Sequence, residues 1–401
     1  MTTERSSDVA QGVRGAQHPR PTDVTTRGYI TATTERDIVT GDMVLNIGPQ
    51  HPSTHGVLRV VTRLDGERVV DAEPVLGYMH RAFEKLAEQR SPMQNTALFN
   101  RLDWVSGFCN EVPYCIACEQ LAGIEVPRRA QVQRIILFEL TRLASHAMFC
   151  GVYGLELGAL TAPMYGYRDR EYALDLLEMV SGQRMHTNWA RIGGVKEDFP
   201  EGFYERVPPI LEYYRTRIEQ WLEFLIGNDI FIERTRGIGE LPPDVALDYG
   251  VSGPNLRASG ISTDARKEED YLGYGEYEFE VPVGEHGDCF DRYVQRVREM
   301  WESCNIIEQA LDDLPPGPVN TGVGRTFKVP EGEIYIRADG PRGENGYYLI
   351  SKGAKEPYRL KIRTGSFANV SVLPYLLKDT YLPDIVAILG SLDFVVGDID
   401  R

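Results

Sequence analysis

Val132-Gln-Arg-Ile-Ile136-Leu-Phe-Glu-Leu140-Thr-Arg-Leu143-Ala-Ser-His-Ala147 carries apolar residues at spacings of three and four. That period draws one continuous stripe along a helix, over a length few strands reach. The pattern continues on both sides. Leu98, Leu102, Val105, Cys109, Val112 and Ile116 form an earlier stripe, which Pro113 is expected to kink or split. Pro163 and Gly182 bracket a third helix. Leu211, Tyr214, Ile218, Leu222 and Leu225 mark a fourth, closed by Gly227. Val297, Trp301, Cys304, Ile307 and Leu311 predict a helix over about 290–312. Residues 235–290, rich in Gly, Pro, Asp and Tyr, predict irregular structure.

Strand patterns flank this helical region. Met43, Leu45 and Ile47 alternate with polar or smaller neighbours, as do Leu58, Val60, Thr62 and Leu64, and Asp65-Gly66 marks a turn. Later, Glu333–Ile336, Tyr347–Ser351 and Tyr358–Arg363 read as strands, with Tyr358, Leu360 and Ile362 on one face. Two short helices are expected to close the chain. The order predicts an α+β fold, with a central long-helix bundle and small flanking antiparallel β units. Three parts are expected: a disordered leader over 1–41, a β unit over 42–76, and a helical domain over 77–401 with a small β insertion at about 330–364. Five acidic residues balance five Arg in the leader, and no period is visible there.

Of 401 residues, 42% are hydrophobic and 25% charged, which excludes a disordered or collagenous chain. Lys and Arg total 43 against 59 Asp and Glu, a net charge of −16. That balance opposes nonspecific binding to nucleic acid or anionic lipid. No uninterrupted apolar run approaches the roughly 18 residues of a spanning helix; Ile385–Leu389 is far too short. The first residues show no apolar core of a signal peptide, so the six Cys are expected to be reduced thiols in the cytoplasm.

The densest chemical signal is Gly48-Pro-Gln-His51-Pro-Ser-Thr-His55-Gly56. Pro and Gly fix the backbone and hold two imidazoles on a rigid turn, where they could donate protons near neutral pH. The same residues would also serve as a turn whose His bond backbone groups. A metal pair would need a third ligand and helical spacing, and neither is evident. Cys115 and Cys118 form a lone Cys-x-x-Cys without the second pair of a zinc site, and small buried thiols are the expected reading. Glu139, Arg142 and His146 share one helix face, which suits a solvated or interhelical ion-pair surface. No dinucleotide fingerprint, phosphate loop or nucleophile elbow is present.

The loop belongs to a longer run, Met43-Val-Leu-Asn-Ile-Gly-Pro-Gln-His-Pro-Ser-Thr-His-Gly-Val-Leu-Arg59. It resembles the signature of the D-subunit family of NADH-quinone oxidoreductase, the hydrogenase-related subunits of respiratory complex I. Further ordered matches are Gly77-Tyr-Met-His-Arg81, Arg101-Leu-Asp103, Val180-Ser-Gly-Gln-Arg-Met-His186, Ser252-Gly-Pro-Asn-Leu-Arg257, His286-Gly-Asp-Cys-Phe-Asp-Arg-Tyr293 and Gly397-Asp-Ile-Asp-Arg401. The resemblance runs from about residue 42 to the end and implies a fold like the large subunit of nickel-iron hydrogenases. The windows that would carry four metal-binding Cys read Arg101-Leu-Asp103-Trp-Val-Ser106 and Asp393-Phe-Val395-Val-Gly-Asp398. None is Cys, and Asp, Ser, Val and Asp cannot build a soft nickel site. The resemblance therefore implies a pocket for a quinone headgroup, with no metal held by this chain.

By the same resemblance His55, Trp104 and Glu156 are the catalytic candidates, His51, Asp103 and Val395 line the quinone pocket, and Arg81, Arg101 and His186 lie near a 4Fe–4S cluster carried by the neighbouring B subunit. Trp104 stands where the family often has Tyr, and Glu156 where it often has Asp. Electrons from NADH would arrive through FMN and iron–sulfur clusters in partner subunits. Partners would be the B and C subunits and the membrane-arm H subunit, with menaquinone or ubiquinone as substrate. The chain would sit peripherally on the cytoplasmic side of the cell membrane, in a proton-pumping complex. Two other readings stay open: the same core with ferredoxin- or deazaflavin-linked electron input, and a scaffold without quinone chemistry.

Overall fold

The computed structural model describes residues 35–36, 43–269, 271–324 and 326–401, with the backbone alone at 35–36. A four-stranded antiparallel sheet runs in the order β1 (Glu35–Arg36), β2 (Met43–Ile47), β3 (Arg59–Asp65) and β4 (Arg68–Val75). In β3, Val60, Thr62 and Leu64 face inward between half-open neighbours, the period-two alternation read from sequence. The leader expected over 1–41 lies outside the described residues except at Glu35–Arg36. There the chain pairs with Met43 and Val44, because the outer edge of β2 presents N–H and C=O groups that a passing segment can satisfy.

Helices α1 (Phe83–Ala87), α2 (Pro92–Phe99), α3 (Gly107–Ala122), α4 (Arg128–Glu156) and α5 (Ala162–Ser181) follow. The 98–116 stripe does break, but not at Pro113, which lies inside α3. The break falls at residues 100–106, where the Asp103 carboxylate accepts from the Val105 and Ser106 amides at 3.0 and 3.2 Å. A local side-chain-to-backbone turn thus competes with the helical ladder. Pro113 forfeits only one N–H bond, in a helix buried on every side around it. Gly182 ends α5 in the left-handed conformation.

A two-stranded hairpin, β5 (Ala190–Arg191) and β6 (Gly194–Val195), precedes α6 (Phe203–Trp221), which a π-helical turn extends to Gly227. The stretch expected to be irregular holds short helices after α7 (Asp229–Glu233): α8 (Pro243–Asp248), α9 (Pro254–Ala258) and α10 (Ala265–Glu268). Helix α11 (Cys289–Asp312) matches its stripe. An antiparallel sheet of β7 (Gly332–Gly340), β8 (Gly343–Ser351) and β9 (Arg359–Arg363) comes next. Leu360 and Ile362 are buried, but Tyr358 precedes the strand and is exposed; Lys352 Nζ lies 3.4 Å from its ring centroid and holds it at the surface. Four short helices close the fold, where two were expected: α12 (Gly365–Ser371), α13 (Leu373–Leu377), α14 (Asp384–Ser391) and α15 (Val396–Asp400). Each spans eight residues or fewer, too short to display a 3.6-residue period.

Helix α4 is the centre, packed by α3, α5, α11 and α14. Its backbone meets α5 directly: a Cβ on Gly166 would lie 2.6 Å from the Ala147 carbonyl oxygen. By length and mean hydropathy α4 could span a membrane, yet 89% of its apolar window is buried inside the chain. The Glu139 face is interhelical. Glu139 pairs with Arg142 at 3.0 Å and accepts from Tyr274 and Ser303, while Glu299 pairs with His146 and with Arg257. These groups are all buried, so their charges are offset by one another rather than by water. The six Cys are free and buried, and burial pushes Cys115 up to about 12.

Candidate functional site

The His loop turns on three devices. Gly48 has φ 82°, and any Cβ there would collide with the Leu58 carbonyl. His51 caps the following turn, its Nδ1 accepting from the Ser53 amide at 3.2 Å. Thr54 Oγ1 donates to the His51 carbonyl at 2.7 Å. His55 then takes a left-handed conformation, φ 46°, which turns its ring toward the end of α4. Its Nε2 lies 2.7 Å from Glu156 Oε1, and the ring stacks on Phe394 with centroids 4.8 Å apart.

This dyad borders a cavity of about 220 Å³ lined by His55, Trp104, Tyr153, Arg342, Asp393 and Val395, among others. Gly397 gives the Trp104 indole its place, since a Cβ there would press on the ring. Arg342, from the β7–β8 turn, donates to Asp103 at 2.7 Å and Ser145 at 3.1 Å, and lies 3.4 Å from Asp393. Glu156 Oε2, Tyr153 Oη, Asp393 Oδ2, Asp398 Oδ1 and Arg342 Nε are buried without hydrogen-bond partners among the described residues. Larger grooves exist elsewhere, one of about 510 Å³ between α5 and α6. Its buried carboxylate, Asp169, is already satisfied by Tyr213 and Trp221.

Burial pulls the His55 pKa down, but the charge and hydrogen bond of Glu156, helped by Asp393, outweigh it and leave the group raised. Burial also raises Glu156, against the pull of His55. Both shifts act in one direction: the dyad keeps its proton more tightly than either group would in water. Asp398 is raised to about 7 by burial and by the charge of Asp103.

Among the sequence candidates, the structure gathers His55, Trp104 and Val395 at one cavity, and Glu156 joins them through its bond to His55. Asp103 stands behind it as the partner of Arg342, and His51 is engaged in its own turn. Arg101 and His186 are neighbours: burial, then the Arg101 charge, lowers the His186 pKa. Arg81 is exposed, its guanidinium over the Phe83 ring. Among the described residues no group of three or more His, Cys, Asp or Glu could hold a metal.

Residues 156–326 and 320–401 match the family model of the respiratory-chain NADH dehydrogenase 49 kDa subunit. NADH-quinone oxidoreductase subunit 4 of Thermus thermophilus is 46% identical over 391 residues, covering 91% of this chain and 96% of the relative. The NADH-quinone oxidoreductase D subunit of Clostridium beijerinckii is 47% identical, covering 92% and 99%, and a D subunit of Streptomyces coelicolor 47%, covering 93% and 100%.

The chain belongs to the D-subunit family of NADH-quinone oxidoreductase.

It is thereby a subunit of an oxidoreductase complex, of the kind the 49 kDa family model describes. In this member of the family, the 101–106 and 393–398 segments meet at one guanidinium, that of Arg342, which also reaches Asp393. Asp103 and Ser106 hydrogen-bond to each other, and both lie against Arg342. Sequence reasoning missed Arg342, because the strand patterns over 333–336 and 347–351 leave the turn between them without a period. Its signal was Gly340-Pro341-Arg342-Gly343, a turn made by Pro and Gly that carries one long cation. Asn100 and Glu111 were missed too, since both sit inside an apolar-looking stripe.

Proposed function

We propose that the cavity beside His55 receives a quinone headgroup, and that this chain and the B subunit together form the quinone-reduction site of an NADH:quinone oxidoreductase. The observation that carries this reading is the half-buried His55–Glu156 dyad, whose imidazole lines a cavity also lined by Trp104. Glu156 holds Nε2, which leaves Nδ1 to donate to a quinone carbonyl. Reduction adds two electrons and two protons to the quinone. Charge grows on the carbonyl oxygen as electrons arrive, so a proton poised on the imidazolium passes to it, and Glu156 steadies the ring before and after. Trp104 offers one indole N–H or a flat face to the ring. Arg342, held by Asp103 and Asp393, lines the same wall.

The chain itself holds no metal in this reading. Two carboxylates, a hydroxyl and a guanidinium make a poor home for nickel, and Arg342 already neutralises the carboxylates. Electrons come from NADH through FMN and iron–sulfur clusters of partner subunits, with Arg101 and His186 on the cluster side. The B, C and H subunits hold the chain against the cytoplasmic face of the membrane.

The test is quinone-dependent NADH oxidation by membranes carrying His55→Ala or Trp104→Ala. A charge-assisted hydrogen bond contributes roughly 1.5–3 kcal/mol, so a loss of at least about tenfold is expected for His55→Ala. NADH oxidation by ferricyanide should persist in both. Full quinone reduction in His55→Ala would overturn the proposal.

A further inference from the structure

We propose that Asn100 and Glu111 are positioning residues that fix the tautomer of His186, keeping its Nε2 as a proton acceptor. The inference rests on the reading that His186 lies on the cluster side of the site.

Glu111 sits in α3 with no exposed surface. Its Oε2 accepts from the amides of Trp189 and Ala190 at 3.0 and 3.1 Å. Its Oε1 accepts from Asn100 Nδ2. An ionised carboxylate can only accept, so the buried Asn100 amide must turn its NH₂ toward Glu111 and its oxygen away. That oxygen lies 2.9 Å from His186 Nδ1. An amide oxygen can only accept as well, so the ring must carry its proton on Nδ1, and Nε2 keeps its lone pair. The chain of two bonds thus transmits the polarity of Glu111 to a ring it does not touch.

The fit is close. A Cβ on Gly107 would lie 2.6 Å from the main-chain oxygen of Asn100 and 2.9 Å from its side-chain Nδ2, so only glycine there leaves the amide its place. The charged and titratable groups around the relay are Arg101, which opposes protonation of His186, and Arg191, Cys115 and Tyr347 around Glu111. Thr187 Oγ1 adds a weak donor at 3.4 Å.

The relay can also reverse. Burial raises Glu111 to about 7, against the hydrogen bonds from Ala190 and Asn100. Above that value Glu111 is ionised and the ring carries its proton on Nδ1. Below it, a protonated Glu111 donates to the Asn100 oxygen. The amide then turns over, and its NH₂ moves the ring proton to Nε2.

The experiment reads the tautomer directly, by ¹⁵N NMR of the histidine-labelled full chain, co-produced with the B and C subunits, with His186→Gln to assign the signal. The wild type should show the Nδ1–H form above pH about 7. Glu111→Gln preserves shape but inverts polarity: the introduced oxygen takes both strand amides and the introduced NH₂ donates to Asn100. The ring proton should move to Nε2. Adding Asn100→Asp to that variant supplies an acceptor toward both neighbours and should return the proton to Nδ1, a rescue that a purely structural role would not produce. The same tautomer in the wild type and Glu111→Gln, or no return in the double variant, overturns the proposal. If the variants fail to fold, the wild type still decides, because an Nε2–H ring at high pH contradicts it. His55→Ala leaves this readout untouched, so failure here and failure of the quinone-site reading are separate results.

Discussion

His55 holds a backbone conformation that non-glycine residues rarely adopt, and its ring is held from outside the loop by Glu156 and Phe394. Glu156 is what lifts its proton affinity above the opposing effect of burial. Glu156→Gln keeps one acceptor and loses the charge, so the His55 pKa should fall. If the imidazolium is the proton donor, the alkaline limb of quinone reduction then moves to lower pH. An unchanged pH profile would show that His55 works without the carboxylate. Stability follows the same sign. A raised His pKa stabilises the fold fully below about 6.5, its unperturbed value, and that contribution is lost as pH rises through the raised value. Thermal unfolding of Glu156→Gln should therefore lack this alkaline decline. The two partners could be paired from the sequence through the family resemblance, because Glu156 stands where the family often has an Asp paired with the loop His. Arg342 could not, because nothing local tells whether a turn cation points to water or inward.

Among the elements, α14 and α5 hold the site by opposite uses of glycine. A Cβ at Gly390 in α14 would overlap Glu156 Oε2, the movable end of a side chain. Gly390→Ala should thus displace the carboxylate, with the Tyr153 ring 2.9 Å from the same Cβ, and depress quinone reduction while lowering the unfolding temperature less than a clash with backbone does. A Cβ at Gly166 meets the Ala147 carbonyl of α4 instead, and a helix backbone cannot step aside. Gly166→Ala should cost roughly 1–3 kcal/mol as overpacking, visible as a lower melting temperature. A melting temperature for Gly390→Ala equal to or below that of Gly166→Ala would refute the contrast. The long helices were legible because their stripes repeat over many turns. The break between α2 and α3 was misplaced because Pro113 is a strong generic breaker, whereas the actual turn depends on one carboxylate, Asp103. The short helices at the end of the chain carry too few periods to be read.

Across the whole molecule, the interior is ionic as well as apolar. Arg257 joins Glu299, Asp339 and Asp264 with no exposure to solvent. Arg257→Met leaves three carboxylates short of a partner, and breaking such a pair costs roughly 3–5 kcal/mol. The variant should fail to accumulate in membranes, as immunoblotting would reveal; normal abundance and stability would show that the network is dispensable. Leu160 and Met164 are 74% and 68% exposed near the α4–α5 turn, apolar side chains of the kind a partner subunit covers. Co-production with the B and C subunits should raise the soluble yield. None of this surface was legible, since exposure of a periodic apolar residue depends on partners the sequence does not contain. The clasp of α15 has a further, kinetic consequence. His80 binds the Asp400 carbonyl across 320 residues of chain, and the amides of Gly77 and Met79 bind the Asp400 side chain. Contacts so distant form slowly, and a growing chain leaves the ribosome with its early β sheet long before α14 and α15 exist. Until they arrive, the cavity lacks its Asp393–Val395 wall and Trp104 has no Gly397 to lie against. Nascent chains therefore pass through a long interval with their apolar interior open, in which a chaperone or an early-binding subunit decides between assembly and aggregation.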